Sequence, residues 1–316
     1  MKPLERIAIV GRDADGWLTA LMLQKSLSAH KSAVEVVYIE LPSDSTNQDF
    51  FSVLPSHKLL HEMLGAKEQT LLRLSGGMYS FGQRYSNWQG NNTAYMHSYD
   101  RFGVDFNHVP FYHYWQRAAD AGLRLPMESF NLGASAALAG RYVVFEGTES
   151  TFSNATYGYQ FEARAYVAAV AKAAIAMGLK HHASPVKNIA EGPAGIEAVV
   201  LEDGSEITAD LFIDASGYES ILIKRLDTAG PESWRHFFPV DRLIVASGRK
   251  LEPLPSFNQI TAFSAGWIGM YPLLNKTAVN IAYSSRHMSS QEVLERAAAI
   301  TGWQLEAATE SPFEAS

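Results

Sequence analysis

Residues 6–17 read RIAIVGRDADGW, and this stretch decides the fold. The run RIAIV (6–10) is short, apolar and closed by Gly11, the pattern of a buried strand ending in a turn. Over 16–29 the residues Trp17, Ala20, Leu23 and Leu27 recur at helical spacing, with Leu21 beside them and Gln24 interrupting the stripe. A second apolar run (34–39) follows and closes on Glu40. Strand, glycine turn, helix, strand is a βαβ unit, so the expected class is α/β. The turn Gly11-Arg12-Asp13-Ala14-Asp15-Gly16 stands where a dinucleotide fingerprint G-x-G-x-x-G would stand. Gly11 suits the tight turn, Gly16 the close helix–strand packing, and Glu40 the carboxylate that bonds a ribose hydroxyl. The middle glycine, which lets backbone approach a pyrophosphate, is Asp13. Two unit charges about 5 Å apart cost about 3 kcal/mol at an effective dielectric of about 20, so Asp13 opposes a phosphate there. On its own the segment reads more readily as a structural turn with aspartates capping a helix than as a nucleotide site.

Outward from this unit the texture changes. Over 41–150 Pro, Ser, Asn and aromatic residues crowd in, as in MYSFGQRYSNW (78–88) and FNHVPFYHYW (106–115), with short helices expected at 56–64 and 110–121. The Ala-rich 160–178 reads as one helix stopped by Gly178. Strands are expected at 185–190 and 196–201 around the turn EGPAG, then in DLFIDASG (210–217), and at 242–247, 259–264 and 278–284 before a helix at 289–300. No internal repeat or linker interrupts the chain, so 1–316 reads as a single domain whose aromatic middle is an insertion into an α/β scaffold.

Composition narrows the function. The 316 residues carry 26 Lys+Arg against 33 Asp+Glu, a net charge of −7 that argues against a general phosphate-backbone binder, so no nucleic-acid partner is expected. With Cys 0, disulfides, thiolate metal sites, iron–sulfur clusters and cysteine nucleophiles are excluded. No run of eighteen apolar residues and no signal-peptide pattern occur, so no membrane partner is expected and the default location is cytoplasmic. His57 and His61, with Glu62, have a metal-ligand spacing on one helix face. No third ligand accompanies them, so surface or capping roles are expected and no metal site. His181 and His182 read as an exposed pair. Tyr99, Phe102, Phe111, Tyr112, Tyr114 and Trp115 read first as core and second as a pocket for a planar molecule.

Taken in order, several segments resemble the flavin-dependent tryptophan halogenases. AIVGRDADGWLTA (8–20) is similar to the family's opening, with its unusual Gly16, Trp17 pair. SGGMYSFGQRYSNW (75–88) resembles the segment that carries the catalytic lysine and ends in Asn-Trp. YGYQFEARAYVAAV (157–170) resembles the YxFDA helix, with Glu162 for Asp, and DLFIDASGYES (210–220) resembles DLFIDCTGFRS. FFPVDR (237–242) and GWIGMYPL (266–273) are similar to LPCDRA and GWxWxIPL, followed by Ile281, Ala282, Tyr283, Ser284 and Ser285. The order is collinear over about residues 4–305.

The resemblance implies an FAD-binding, Rossmann-like domain of aromatic-hydroxylase type with an inserted substrate-type region. It places nucleotide-binding elements at about 4–45 and 157–225, and substrate-type regions at about 60–150 and 226–316. It implies that reduced FAD, oxygen and chloride or bromide generate an oxidant that a lysine holds and delivers to an aromatic substrate such as tryptophan or an indole. A separate flavin reductase would serve it. Carried over by position, the cofactor-binding residues are Gly11, Arg12, Asp13, Ala14, Gly16, Trp17, Glu40, Val186, Asp214 and Gly217. Val186 reads equally as an ordinary strand valine, and Asp214 as strand-end packing.

The departures bear on chemistry. The family lysine aligns with Tyr79, the catalytic candidate here, and a phenol forms no N–halogen bond. Lys58 and Lys67 lie nearby in sequence without matching the motif. The glycine-rich GVGEAT loop that lies along the flavin aligns with QDFFSVLPS (48–56), which has no glycine, and the second Trp of GWxWxIPL is Gly269. The family continues to an EPLEST segment bearing its glutamate, and ESPFEAS (310–316) follows Ser285 too closely to be that segment. The expectation is weak or lost FAD binding and impaired catalysis. The alternatives are a non-catalytic protein that binds a ligand or partner, and a truncated gene product. Residues 211–213 are expected at or near an open sheet edge, which favours self-association.

Overall fold

The computed structural model describes residues 3–142, 156–193, 195–227 and 230–316. They form two compact units, each assembled from separate stretches of chain. The first takes residues 1–47, 63–75 and 163–232; the second takes 48–62, 76–162 and 233–316. Residues 63–75 thus belong with the βαβ unit, and 157–162 with the second unit.

The first unit is built on a parallel sheet. Strand Arg6–Gly11 lies between Glu35–Glu40 and Leu211–Ala215, and Lys180–His182 pairs beyond Glu35–Glu40. Alternation along each strand sends side chains to both faces, and both are covered. Ala8, Val10, Val37 and Ile39 pack with Ile189, Val199, Leu201 and Ile207 of an antiparallel three-stranded sheet (Val186–Gly192, Gly195–Leu201, Glu206–Thr208). On the opposite face Tyr38 meets Trp17 of helix Asp13–Ala29, which in turn packs on helix Ala163–Ala176. The first helix begins three residues earlier than its apolar stripe indicates, because Asp13 and Ala14 complete the turn as helix. Among the described residues, Leu211–Ala215 pairs on one side only, so it forms a sheet edge as expected, with Leu211 exposed.

The second unit holds a seven-stranded sheet whose order runs Glu306–Pro312, Arg242–Gly248, Thr277–Tyr283, Gly266–Pro272, Asn258–Phe263, Gly82–Ser86, Ala94–Ser98. Only the Asn258–Phe263/Gly82–Ser86 pair is parallel. One face buries Ile244, Ile268, Val279 and Ile281 against Val293 and Ala297 of helix Ser290–Thr301. That helix starts with a reciprocal Ser289/Glu292 capping box and stops at Gly302 in the left-handed conformation. A smaller antiparallel sheet places Gly158–Glu162 between Phe50–Val53 and Met78–Ser80.

Several sequence-based expectations need correction. The expected helix over 160–178 is a strand to Glu162 and a helix only from Ala163. Tyr159 and Phe161 favour a strand by their own propensity, both are buried, and the segment pairs on both sides, so the Ala-rich helix pattern begins only after it. Helices occur as expected at Ser56–Met63 and Phe111–Asp120, and Glu68–Leu74 and Leu132–Leu138 were not foreseen. Strand Gly266–Pro272 was missed because two glycines and a proline mask its alternation. No helix among the described residues is long and apolar enough to cross a membrane.

Candidate functional site

The turn after the first strand is packed without slack. A Cβ on Gly16 would stand 2.4 Å from the Tyr38 hydroxyl, and one on Gly11 would stand 2.8 Å from the Ala215 Cβ. Tyr38 cannot yield, being fully buried and donating its hydroxyl to the Gly11 carbonyl at 3.0 Å. Asp13 takes a left-handed conformation, φ 47°, which a glycine would adopt more cheaply. Its carboxylate accepts from the Ser43 hydroxyl at 2.5 Å and from the Asp44 N–H at 3.2 Å. The side chain is therefore committed to the loop that follows Glu35–Glu40.

Arg12 lies in a cleft of about 560 Å³ within this unit. Leu41, Pro42, Pro185, Val186, Ile189 and Ile221 supply apolar walls, and Arg12, Lys187, Lys224 and Arg225 supply four cations against Asp44 and Glu219. The Arg12 guanidinium pairs with Asp44 through Nη1 and with Glu219 through Nη2, the latter at 2.5 Å. Of the expected cofactor residues, Arg12 and Val186 face this cleft. The others lie on the strand ends, the first helix and the turn at Gly217. Ala14 and Trp17 are buried in the helix–sheet core. Glu40 accepts from Trp17 Nε1 at 3.1 Å and contacts His181 Nε2 at 2.8 Å, so both of its oxygens are engaged. Gly217, φ 73°, makes the turn into a short 3₁₀ segment, Gly217–Glu219.

Asp214 organises the loop that carries Glu219. Its carboxylate accepts from the Ser216 N–H and hydroxyl and from the Leu222 and Ile223 N–H groups. Burial works to raise its pKa, but these hydrogen bonds prevail and hold it below the ordinary value. His181, expected to be exposed, is half-buried, with its ring 4.9 Å from that of Trp17 and 5.8 Å from that of Tyr38. Lys187, Lys224, Arg225 and Glu219 were not picked out from the sequence; the only signal was their recurrence next to the strands that resemblance had already flagged.

The second unit gathers rings. Tyr79, half-buried on Met78–Ser80, lies 5.0 Å from Tyr157 and 6.1 Å from Tyr159 between ring centroids. Lys58 donates from Nζ to the Tyr157 hydroxyl at 3.1 Å and sits 4.9 Å from that ring's centroid. His61, expected on the surface, is buried against Tyr159 and Phe161, while burial pushes the His57 imidazole below its ordinary pKa. Among the described residues no three metal-ligating side chains come together. Tyr112 and Tyr114 of the Phe111–Asp120 helix are exposed, and that helix buries none of its residues, so its aromatic stripe is not core.

A parallel βαβ sheet, a glycine turn and a cationic cleft beside it define an α/β protein with the FAD-binding type of fold. Residues 6–314 match the tryptophan halogenase family model, and the chain belongs to that family. It is 21% identical over 313 residues to tryptophan 6-halogenase SttH of Streptomyces toxytricini, covering 91% of this chain and 59% of the relative. It is 24% identical over 314 residues to tryptophan 7-halogenase RebH of Lentzea aerocolonigenes, covering 92% and 58%. The chain thus spans less than two thirds of the length of these relatives. Among solved structures it is similar to BrvH, a flavin-dependent halogenase from Brevundimonas sp. BAL3, with TM-score 0.89 at 23% identity, covering 99% of this chain and 63% of that one. Xcc4156, a flavin-dependent halogenase from Xanthomonas campestris, gives TM-score 0.89 at 22% identity over 98% and 62%. At these identities the likeness bears on the fold.

Proposed function

We propose that this chain is a flavin-binding member of the halogenase family, that its cleft takes the adenosine diphosphate half of FAD, and that its halogenation chemistry is impaired at Tyr79. The cleft carries the reading. Its apolar walls suit a flat base, its four cations suit a diphosphate, and the buried Nε of Arg12 lacks a hydrogen-bond partner, so the site has donor capacity to spare. When bound, FAD would supply the redox chemistry that activates oxygen. Arg12, Lys187, Lys224 and Arg225 would hold its phosphates, and Val186, Ile189 and Leu41 would flank its base.

At the acceptor end the family's resemblance asks for an amine at the position of Tyr79. A phenol has no nitrogen to hold a halogen, and its electron-rich ring would consume an electrophilic halogen itself. The substrate class that fits the family is an aromatic such as tryptophan or an indole, with a separate flavin reductase as redox partner. The test combines purified protein, a flavin reductase, FAD, oxygen and bromide with tryptophan, read by mass spectrometry. Halotryptophan should not exceed the protein-free background. Regioselective halotryptophan from the unmodified protein would refute the impaired reading. FAD binding is tested separately by the visible spectrum of the protein with and without added FAD: weak, substoichiometric yellow colour is expected.

A further inference from the structure

The distinctive feature of the cleft is what Arg12 does with its charge. Its side chain is only 12% exposed, yet its two carboxylate partners are 72% (Asp44) and 58% (Glu219) exposed. The cation is thus fixed by the turn, while both anions ride on separate loops, one after Glu35–Glu40 and one after Leu211–Ala215. Its Nε is buried without a partner, so the two carboxylates leave part of the guanidinium's donor capacity unused. A guanidinium presents a planar fork that suits phosphate as well as carboxylate.

We propose that Arg12 is the phosphate-contacting residue of the cleft and that Asp44 and Glu219 occupy it in competition with an anionic nucleotide. The inference rests on the reading of the cleft as a nucleotide site. A diphosphate entering beside Lys187, Lys224 and Arg225 displaces the two exposed carboxylates, which swing into solvent while Arg12 stays in place. The exchange trades one anion for another around a fixed cation, so the carboxylates lower affinity for charged nucleotides and leave a neutral nucleoside unaffected. Affinity is thereby set by residues that touch the ligand only through the arginine they release.

The test is isothermal titration of the full chain with ADP and, in parallel, with adenosine. Pairs whose carboxylates are more than half exposed are weak, so Asp44→Asn with Glu219→Gln together should tighten ADP by about three- to tenfold. Arg12→Gln should weaken ADP by at least about tenfold, and adenosine should bind all three proteins within about twofold. Because the two carboxylates are exposed, the double variant keeps the test alive should Arg12→Gln fail to fold. Unchanged or weaker ADP binding in the double variant would overturn the competition, since the carboxylates would then be organising the cleft. Equal loss of ADP and adenosine in Arg12→Gln would make Arg12 a structural staple. Absence of ADP binding in both the unmodified chain and the double variant would remove the nucleotide reading of the cleft, and the competition with it.

Discussion

The turn at 11–16 and the ring cluster around Tyr79 are built from opposite materials. The turn tolerates no added atom: a Cβ on Gly11 or Gly16 would run into Ala215 or Tyr38, and carboxylates at Asp13 and Asp214 fix the surrounding loops. The ring cluster is held by edge and stacked contacts among Tyr79, Tyr157, Tyr159, Phe161 and His61, which are soft in angle and add in small amounts. The lesson is that the sequence departure at Asp13 is absorbed into local bonding. Tyr79 sits among rings that pack around it, on a strand that pairs as its neighbours do. Substitutions in the two regions should therefore differ in cost.

The largest effect is expected at Gly16. Its substitution by Ala puts a methyl 2.4 Å from the Tyr38 hydroxyl and 2.9 Å from the ring, in a place where both are buried. Overpacking of this kind costs about 2–3 kcal/mol, read as a loss in thermal or urea stability. Tyr38→Phe removes the nearest atom, so Gly16→Ala should cost less in that background than alone. Additive losses would show that the clash is relieved by backbone movement instead.

Asp214 comes next. Replacing it by Ala leaves the Leu222 and Ile223 N–H groups and the Ser216 hydroxyl without their acceptor, an expected loss of about 2 kcal/mol at neutral pH. The sign of the pH dependence follows from the direction of its shift. A carboxyl with a depressed folded pKa contributes stability that is full above its ordinary value, 3.8, and is lost as pH falls through the folded value. Denaturation at pH 7, 5 and 3 should therefore show the gap between the unmodified chain and Asp214→Asn narrowing only at the acid end. A constant gap would mean that Asp214 is not ionised in the fold.

On the other side of the comparison, Tyr79→Phe keeps the ring and should cost no more than about 1 kcal/mol. A loss as large as that at Gly16 would overturn the view that the ring cluster is the tolerant region. The contrast also explains what was legible in the sequence. Periodicity exposed the Ser290–Thr301 helix because it buries one stripe, and the βαβ unit was legible from two short apolar runs, buried on both faces, with a glycine turn between them. Periodicity failed at 158–162, where the Ala-rich pattern that follows was extended back over a segment that pairs with strands from residues 50–53 and 78–80. The glycine turn was legible from spacing, but its electrostatics were not. Ser43, Asp44 and Glu219 reach Asp13 and Arg12 from about 30 to 207 positions away.

The smallest effect is expected at Asp13, where opposing terms nearly cancel. Changing it to Gly relieves a left-handed conformation that costs an ordinary residue about 1–2 kcal/mol, and Asp less than most. It also removes the acceptor for Ser43 and for the Asp44 N–H, worth about 1 kcal/mol, and adds about 0.5–1 kcal/mol of unfolded-chain entropy. The net change in stability should stay within about 1 kcal/mol. Binding is more telling than stability here, because the same substitution removes a negative charge from the turn and frees the loop that presents Asp44 to Arg12. Both consequences favour an incoming phosphate, so ADP should bind about threefold more tightly by calorimetry, with adenosine unchanged. Weaker ADP binding would mean that Asp13, through Ser43, shapes the cleft in the ligand's favour. The turn would then be a rebuilt phosphate site in its own right, with Asp13 one of its supports.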